Sequence, residues 1–481
     1  MAIVAGIDCS TQYTKIVVCD SDTGEVLREN RAPHPGVPAG TTPAELDPQA
    51  WLRSLGAAAE GGLLEGIRAI GVSAQQQGVL GLDAGGVLVR PALLRHDPRA
   101  AGAARSLVDE LGGAAAWAQA VGSVPLASSP VAKLRWIAEN EPQHAARIAE
   151  VLQPHDWLVW QLLGGSHART TDRGDVSGTG YWSPATKEYR TDLAALALGH
   201  EPRLPTVLGP ADPAGHSPEG LLISAGTGSP MATALGLGLL PGDVMISLTA
   251  NGTIHLVLDE TSAGAVTELG DPAVSVFADA TGRQFPQVMT LNAARVLRAT
   301  ALMLGTDLQG LSELALRSTP GSYGLVLLPF LDGERTPALP HAAGTLAGLR
   351  VESMKPEHLA RAAVEGMLCN LADALDLLRG RGVTVRRIFL TGAASRLPAV
   401  QQVAVQLFGV PVVVPAQGDY AALGAARQAA WSLAQTGEPP VWALPQEPLT
   451  VQPGEDAALG AAVRQQYASV LGQTHPELKS P

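Results

Sequence analysis

The chain is poor in cysteine and in charge, and it has no basic run and no unbroken apolar run long enough to span a bilayer. Cys9, Cys19 and Cys369 are the only cysteines among 481 residues. Three cannot pair completely and no Cys-x-x-Cys occurs, so the spacing argues against both a disulfide framework and a zinc site. Reduced thiols of this kind suit the cytoplasm. Charged residues make up 16%, the formal net charge is −12, and Lys and Arg are scattered. That pattern argues against a nucleic-acid partner. The segment Met1–Asp8 has no basic n-region and enters a strand pattern at once, so it does not read as a signal peptide. Gly, Ser, Thr, Pro241 and Asp243 interrupt the apolar stretch from Leu221 to Leu248, so no membrane span is expected there.

What remains is a chain able to bury large cores. Hydrophobic residues reach 46%, and the length predicts two or three domains. Its 53 glycines and 36 prolines are spread along the sequence, as many short strand–helix turns require. Ile3 to Asp8 and Lys15 to Asp20 are β-rich runs around a polar turn, which predicts a hairpin; a third strand follows near Glu25 to Asn30. Ile67 to Ser73 reads as a buried strand, and helices are predicted around Pro48 to Glu60, Pro98 to Leu111 and Val131 to Glu139. The strand–turn–strand pattern restarts at Val244 to Leu248 and Ile254 to Leu258. Long helices are predicted at Leu291 to Leu304 and Pro356 to Arg379. A repeated architecture implies two α/β halves: residues 1–243, residues 244–435, and a loosely packed Pro- and Gln-rich tail at 436–481.

Several small-residue turns carry chemistry. Gly6-Ile7-Asp8-Cys9-Ser10-Thr11-Gln12-Tyr13-Thr14-Lys15 reads as a hairpin with an exposed polar tip. Ser128 to Trp136 ends in Lys133-x-x-Trp136. Thr170 to Gly180 contains Asp172 and Asp175, and Pro154-His155-Asp156-Trp157-Leu158 precedes it. Leu331 to Pro337 reads Leu-Asp-Gly-Glu-Arg-Thr-Pro. Gly344 to Leu349, the helix through Glu365, the turn Leu390 to Ser395 and the helix from Tyr420 complete the series. Each alone reads equally well as a turn between strand and helix; their joint order does not.

In that order the motifs resemble the FGGY carbohydrate kinases, and within them the xylulokinase branch, over roughly residues 3 to 433. The resemblance implies two RNase H-like α/β domains of the actin and hexokinase group, flanking a central cleft. It implies ATP and Mg²⁺ as cofactors, with Asp8, Thr11, Lys15, Asn251, Gly252, Thr253, Gly392 and Ala393 at the nucleotide and Asp8 reaching Mg²⁺ through water. It places Gln76, Gln77, Arg95, His96 and Asp97 at a small-molecule sugar, and it allows a homodimer. Lys133, Trp136 and Glu365 are expected to serve the fold.

The departures cluster where sugar and phosphate would meet. The family's active-site loop reads Gly-x-Gly-Asp-Asn, with the Asp as base; here Gly226-Thr227-Gly228 is followed by Ser229-Pro230. A hydroxyl does not replace a carboxylate at neutral pH, and proline removes a backbone donor. Gln77 stands where a His is usual, and Arg95 and His96 replace Trp and Asn. A cation in a sugar site suggests an anionic sugar derivative. In the second phosphate turn, Thr249 replaces a Gly whose freedom at positive φ it lacks, while Asn251 tolerates that geometry. Three readings follow: an impaired homologue that binds ligand, a working kinase on a changed substrate with His96 or a substrate group replacing the base, or an enzyme of another reaction.

Overall fold

A computed structural model describes residues 2–38, 44–165, 167–259, 271–454 and 457–479. The chain divides into two compact units. The first holds Met1–Leu239, Thr267–Phe285 and Gln417–Pro445; the second holds Leu240–Val266, Pro286–Ala416 and Gln446–Pro481.

The first unit is built on a seven-stranded sheet. Its strands are β1 (Ile3–Cys9), β2 (Tyr13–Asp20), β3 (Val26–Pro33), β4 (Ile67–Ala74), β5 (Pro213–His216), β6 (Leu222–Ser224) and β7 (Thr227–Gly228). They run in the order β5-β6-β4-β1-β2-β3, with β7 also paired to β4. β1, β2 and β3 form an antiparallel meander, while β1, β4 and β6 are parallel. Helices cover both faces of β1 and β4, so these strands are apolar nearly throughout instead of alternating. On one face Ile7, Val18 and Val72 pack with Trp51 and Trp157. On the other, Val4 and Val17 meet Ala422, Ala426 and Ala429 of the helix Tyr420–Ala434. That helix lies so close that a Cβ on Gly6 would stand 1.9 Å from the Ala422 carbonyl oxygen, so only glycine fits.

The second unit repeats the plan. Its strands are β8 (Asp243–Leu248), β9 (Gly252–Leu256), β10 (Gln284–Thr290), β11 (Arg387–Thr391), β12 (Val412–Val414) and β13 (Leu449–Val451), in the order β10-β9-β8-β11-β12-β13. β8 and β9 form the antiparallel hairpin that corresponds to β1 and β2, and β11 lies parallel to β8 as β4 does to β1. The helix Pro356–Arg379 is buried along most of its length. The tail departs from the loose appendage expected of it. Leu449–Val451 pairs with β12, and the helix Ala457–Thr474 is tied down by Arg464, which meets Asp373 at 2.6 Å and Asp376 at 2.7 Å. No helix among the described residues is long and apolar enough to cross a membrane.

Candidate active site

The β1–β2 hairpin sets the first group of site residues. Its register places Asp8 opposite Lys15 and Cys9 opposite Thr14, with Ser10, Thr11 and Gln12 at the tip. Behind the tip, the Thr14 hydroxyl meets His34 Nε2 at 3.2 Å. Burial pushes His34 down to about 4, so it is neutral there. The parallel pairing of β1 with β4 sets Ser73 beside Asp8, and that of β4 with β7 brings Thr227 beside Ser73. Asp8 Oδ1 thereby accepts hydrogen bonds from Ser73 Oγ and Ser229 Oγ, each at 2.9 Å. The two hydroxyls lie 3.3 Å apart. Burial pushes the Asp8 carboxyl above its usual range, against the pull of both hydroxyls and of Lys15. Lys15 is ion-paired to Asp419.

Ser229 opens the helix Ser229–Gly236, with Gly228 as its cap and Pro230 in the first turn. Amides of a first turn have no partner within the helix, so the proline costs no helical bond. Pro230 thus sits where a helix tolerates it, and Ser229 presents a hydroxyl at the helix start.

A second group follows β4. Gln77 takes a left-handed backbone, φ 62°, and its carbonyl accepts from Lys133 Nζ at 2.5 Å; Ser128 O accepts from the same ammonium at 2.6 Å. Lys133 is fully buried. Burial, with help from Arg95 and against the opposing Asp97, pushes it down to about 7. Lys133 thus fixes the backbone of Gln77 and Ser128, and its charge also bears on His96. Arg95 is half-buried and makes no hydrogen bond or ion pair with any described residue; burial lowers it. His96 is lowered by burial and then by Arg95 and Lys133. No hydrogen bond among the described residues joins His96 to Ser229 or Asp8. Asp97 is held by Arg99 at 2.6 Å, which outweighs the effect of burial and keeps its carboxyl low. Gln75 Nε2 and Oε1, Gln76 Nε2 and Gln77 Oε1 are buried without a hydrogen-bond partner.

Nearby, the sequence reading missed a buried charge cluster. His155 Nδ1 donates to Asp175 Oδ2 at 2.6 Å, and its Nε2 lies 3.2 Å from Asp156 and 3.8 Å from Asp172. Asp172 caps the short helix Arg173–Val176 and accepts from the Thr227 hydroxyl at 2.6 Å, so the cluster braces the loop that carries Ser229. Burial opposes the imidazolium, but Asp156, Asp175 and Asp172 together push His155 up to about 9. Because the folded value exceeds the unfolded one near 6.5, its stabilising contribution is complete below pH 6.5 and is lost as pH rises through about 9. Replacing His155 with Gln should therefore destabilise the protein by roughly 3–5 kcal/mol at pH 6, as for a broken buried pair, and by progressively less up to pH 9.5. Denaturant unfolding of both proteins across that range measures the difference.

Of the residues assigned to nucleotide by resemblance, Asp8, Thr11 and Lys15 lie in the first unit and the other five in the second. Asn251 ends the β8–β9 turn and Gly252 and Thr253 begin β9; the turn is closed by the amide and hydroxyl of Thr249 on the Asn251 carbonyl at 3.1 and 2.9 Å. Neither Thr249 nor Asn251 has positive φ. The strain expected at Thr249, and the left-handed relief expected at Asn251, are both absent, because the Thr hydroxyl closes the turn instead. Gly392, φ 87°, passes so near β8 that a Cβ would stand 2.5 Å from the Leu248 carbonyl oxygen, and Ala393 follows it in an exposed turn. Glu334 is buried and receives Leu291 N at 2.6 Å and the amides of Asn292 and Asn370 at 3.0 and 3.1 Å. Glu365, expected to serve the fold, pairs with Arg361 at 2.8 Å and accepts from Ser322 Oγ at 3.0 Å.

Comparison with known proteins matches this arrangement. The N-terminal domain model of the FGGY family of carbohydrate kinases matches residues 3–236, and the C-terminal domain model matches residues 264–433. A xylulose kinase of Streptomyces coelicolor is 42% identical over 449 residues, covering 91% of this chain and 89% of that one. A xylulose kinase of Streptomyces rubiginosus is 40% identical over 460 residues, with 91% and 89% covered. The crystal structure of xylulose kinase from Bifidobacterium adolescentis superposes with a TM-score of 0.88 at 37% identity, covering 98% and 99% of the two chains. The two sheet-containing α/β domains are those of the actin and hexokinase-like fold. The chain belongs to the FGGY family of carbohydrate kinases.

Proposed function

We propose that this chain binds ATP and a ketose related to D-xylulose, and that it transfers the γ-phosphoryl group slowly because position 229 carries a hydroxyl in place of the family's carboxylate. The observation that carries this reading is the Ser229 hydroxyl, which donates to Asp8 Oδ1 at 2.9 Å. It is a donor toward Asp8, and a hydroxyl is too weak a base at neutral pH to take a proton from an alcohol. The sugar side is supported by the unpartnered glutamine amides, which suit the hydroxyls of a carbohydrate.

Mg²⁺ keeps several waters and uses one or two carboxylates together with substrate phosphates. Asp8 fits that role, since its Oδ2 accepts no hydrogen bond among the described residues. Lys15 and the hydroxyl and amides of Thr11 would face the phosphates; in the second unit Asn251, Gly252 and Thr253 would face phosphate, and Gly392 and Ala393 the base. Bound ATP supplies the phosphoryl group, and the metal offsets its charge. The proposed setting is the cytoplasm.

A second reading concerns the acceptor. Arg95 has no acceptor among the described residues and bears on Lys133 and His96, while Asp97 is held by Arg99. That excess of positive charge favours a phosphorylated or carboxylated sugar over a neutral one. Steady-state ADP release with D-xylulose, ATP and Mg²⁺, with the product identified, tests the first reading; substrate preference tests the second.

A further inference from the structure

We propose that Asp175 and Gln76 form a hydroxyl-binding pair, which takes one alcohol group of the polyhydroxy substrate between a carboxylate acceptor and an amide donor. The inference rests on the reading of Gln76 as a sugar-side residue and adds Asp175, which the resemblance did not assign.

Asp175 is 0% exposed and Gln76 4%. One carboxylate oxygen of Asp175, Oδ2, accepts a hydrogen bond from His155 Nδ1 at 2.6 Å; the other, Oδ1, has no partner among the described residues. Gln76 Nε2 has none either. Both side chains flank Gly228, the residue before Ser229. A Cβ at that position would stand 2.5 Å from Gln76 Cγ and 3.1 Å from Asp175 Oδ1. A buried polar atom left unpaired costs about 1–3 kcal/mol, and a charged one more. Here an acceptor and a donor are left open beside the same glycine.

The chemistry of the missing partner follows from that pairing. It must donate to Oδ1 and accept from Nε2. An alcohol does both. An ammonium group has no lone pair for Nε2, and a phosphate or carboxylate would meet the Asp175 charge. His155, bonded to Oδ2 at 2.6 Å, fixes the plane of the Asp175 carboxylate, so it acts as a positioning residue. Opposite, a Cβ on Gly178 would lie 3.6 Å from Gln76 Nε2 and 3.5 Å from the Phe277 ring.

Calorimetry with the full chain tests the pair, with D-xylulose, D-ribulose and xylitol as probes. Asp175→Asn and Gln76→Met should each weaken binding at least ~10-fold, and the double variant should be little worse than the weaker single one, because all lose the same hydroxyl. Gln76→Met should also keep or raise the Tm of the ligand-free protein, since it removes an unpartnered buried amide. It therefore carries the test even where Asp175→Asn, which disturbs His155, folds poorly. Binding by the wild type that both substitutions leave unchanged would overturn the pair alone. A clear fall in Tm for Gln76→Met would show an internal partner and overturn it as well. No heat from the wild type with any of the three probes would overturn the sugar reading and the pair together.

Discussion

Replacing Ser229 with Asp should raise the turnover of ketose with ATP by ~10²–10⁴-fold, the range a positioned general base contributes. Asp is well suited to the position. It would sit in the first turn of the helix Ser229–Gly236, where the backbone dipole favours negative charge. Pro230 starts that helix without costing a bond, so no second change is needed for the new side chain to hold its place. The cost is electrostatic: Ser229 Oγ lies 2.9 Å from Asp8 Oδ1, and a second carboxylate there meets like charge. The gain should therefore appear only with Mg²⁺ present, and the variant should be less stable than wild type in its absence. Steady-state kcat at saturating ketose, with and without Mg²⁺, measures both effects. A variant no faster than wild type would mean that position 229 does not limit the rate.

Arg95→Trp should reverse a preference for charge. In the wild type, phosphorylated xylulose should bind at least ~10-fold more tightly than xylulose, the effect of one charge-assisted hydrogen bond of about 1.5–3 kcal/mol. Arg95 is the group to change because it has no hydrogen-bond or ion-pair partner among the described residues, whereas Lys133 is bound to the carbonyls of Gln77 and Ser128, and Arg99 to Asp97. Lys133, already pushed down to about 7 by burial, should become more basic once the guanidinium is gone, since Arg95 is one of the groups that depress it. Calorimetry with the two sugars on both proteins decides the matter. Equal affinities in the wild type would remove the anionic-substrate reading and leave the ketose reading standing.

The parts of the fold that proved legible are those in which local pattern and burial coincide. The runs around Ile7 and Val17 are β-rich and buried on both faces, so composition alone marks them as central strands. Gly6 in β1 and Gly392 after β11 stood in the quoted motifs, and both are places where backbone passes with no room for a Cβ. The helix Ala457–Thr474 was hidden because Pro-, Gln- and Gly-rich flanks dominate the tail's composition, and its anchoring depends on Arg464 meeting acids almost a hundred residues earlier. Ser73 was missed because it lies inside an apolar strand; only the parallel register of β4 with β1 turns it toward Asp8. Asp175 and His155 stood in the quoted motifs, but nothing in the string says that they meet each other. Thr249 was misjudged for a local reason, because a hydroxyl closed a turn that was expected to need a glycine.

The central claim, that this is an FGGY kinase scaffold slowed at its proton-accepting position, is tested most directly by the turnover of the unaltered chain with D-xylulose, ATP and Mg²⁺, measured as ADP release with the sugar product identified. The predicted rate is at least ~10²-fold below the 1–100 s⁻¹ typical of kinases. Robust formation of phosphorylated xylulose within that typical range would contradict it.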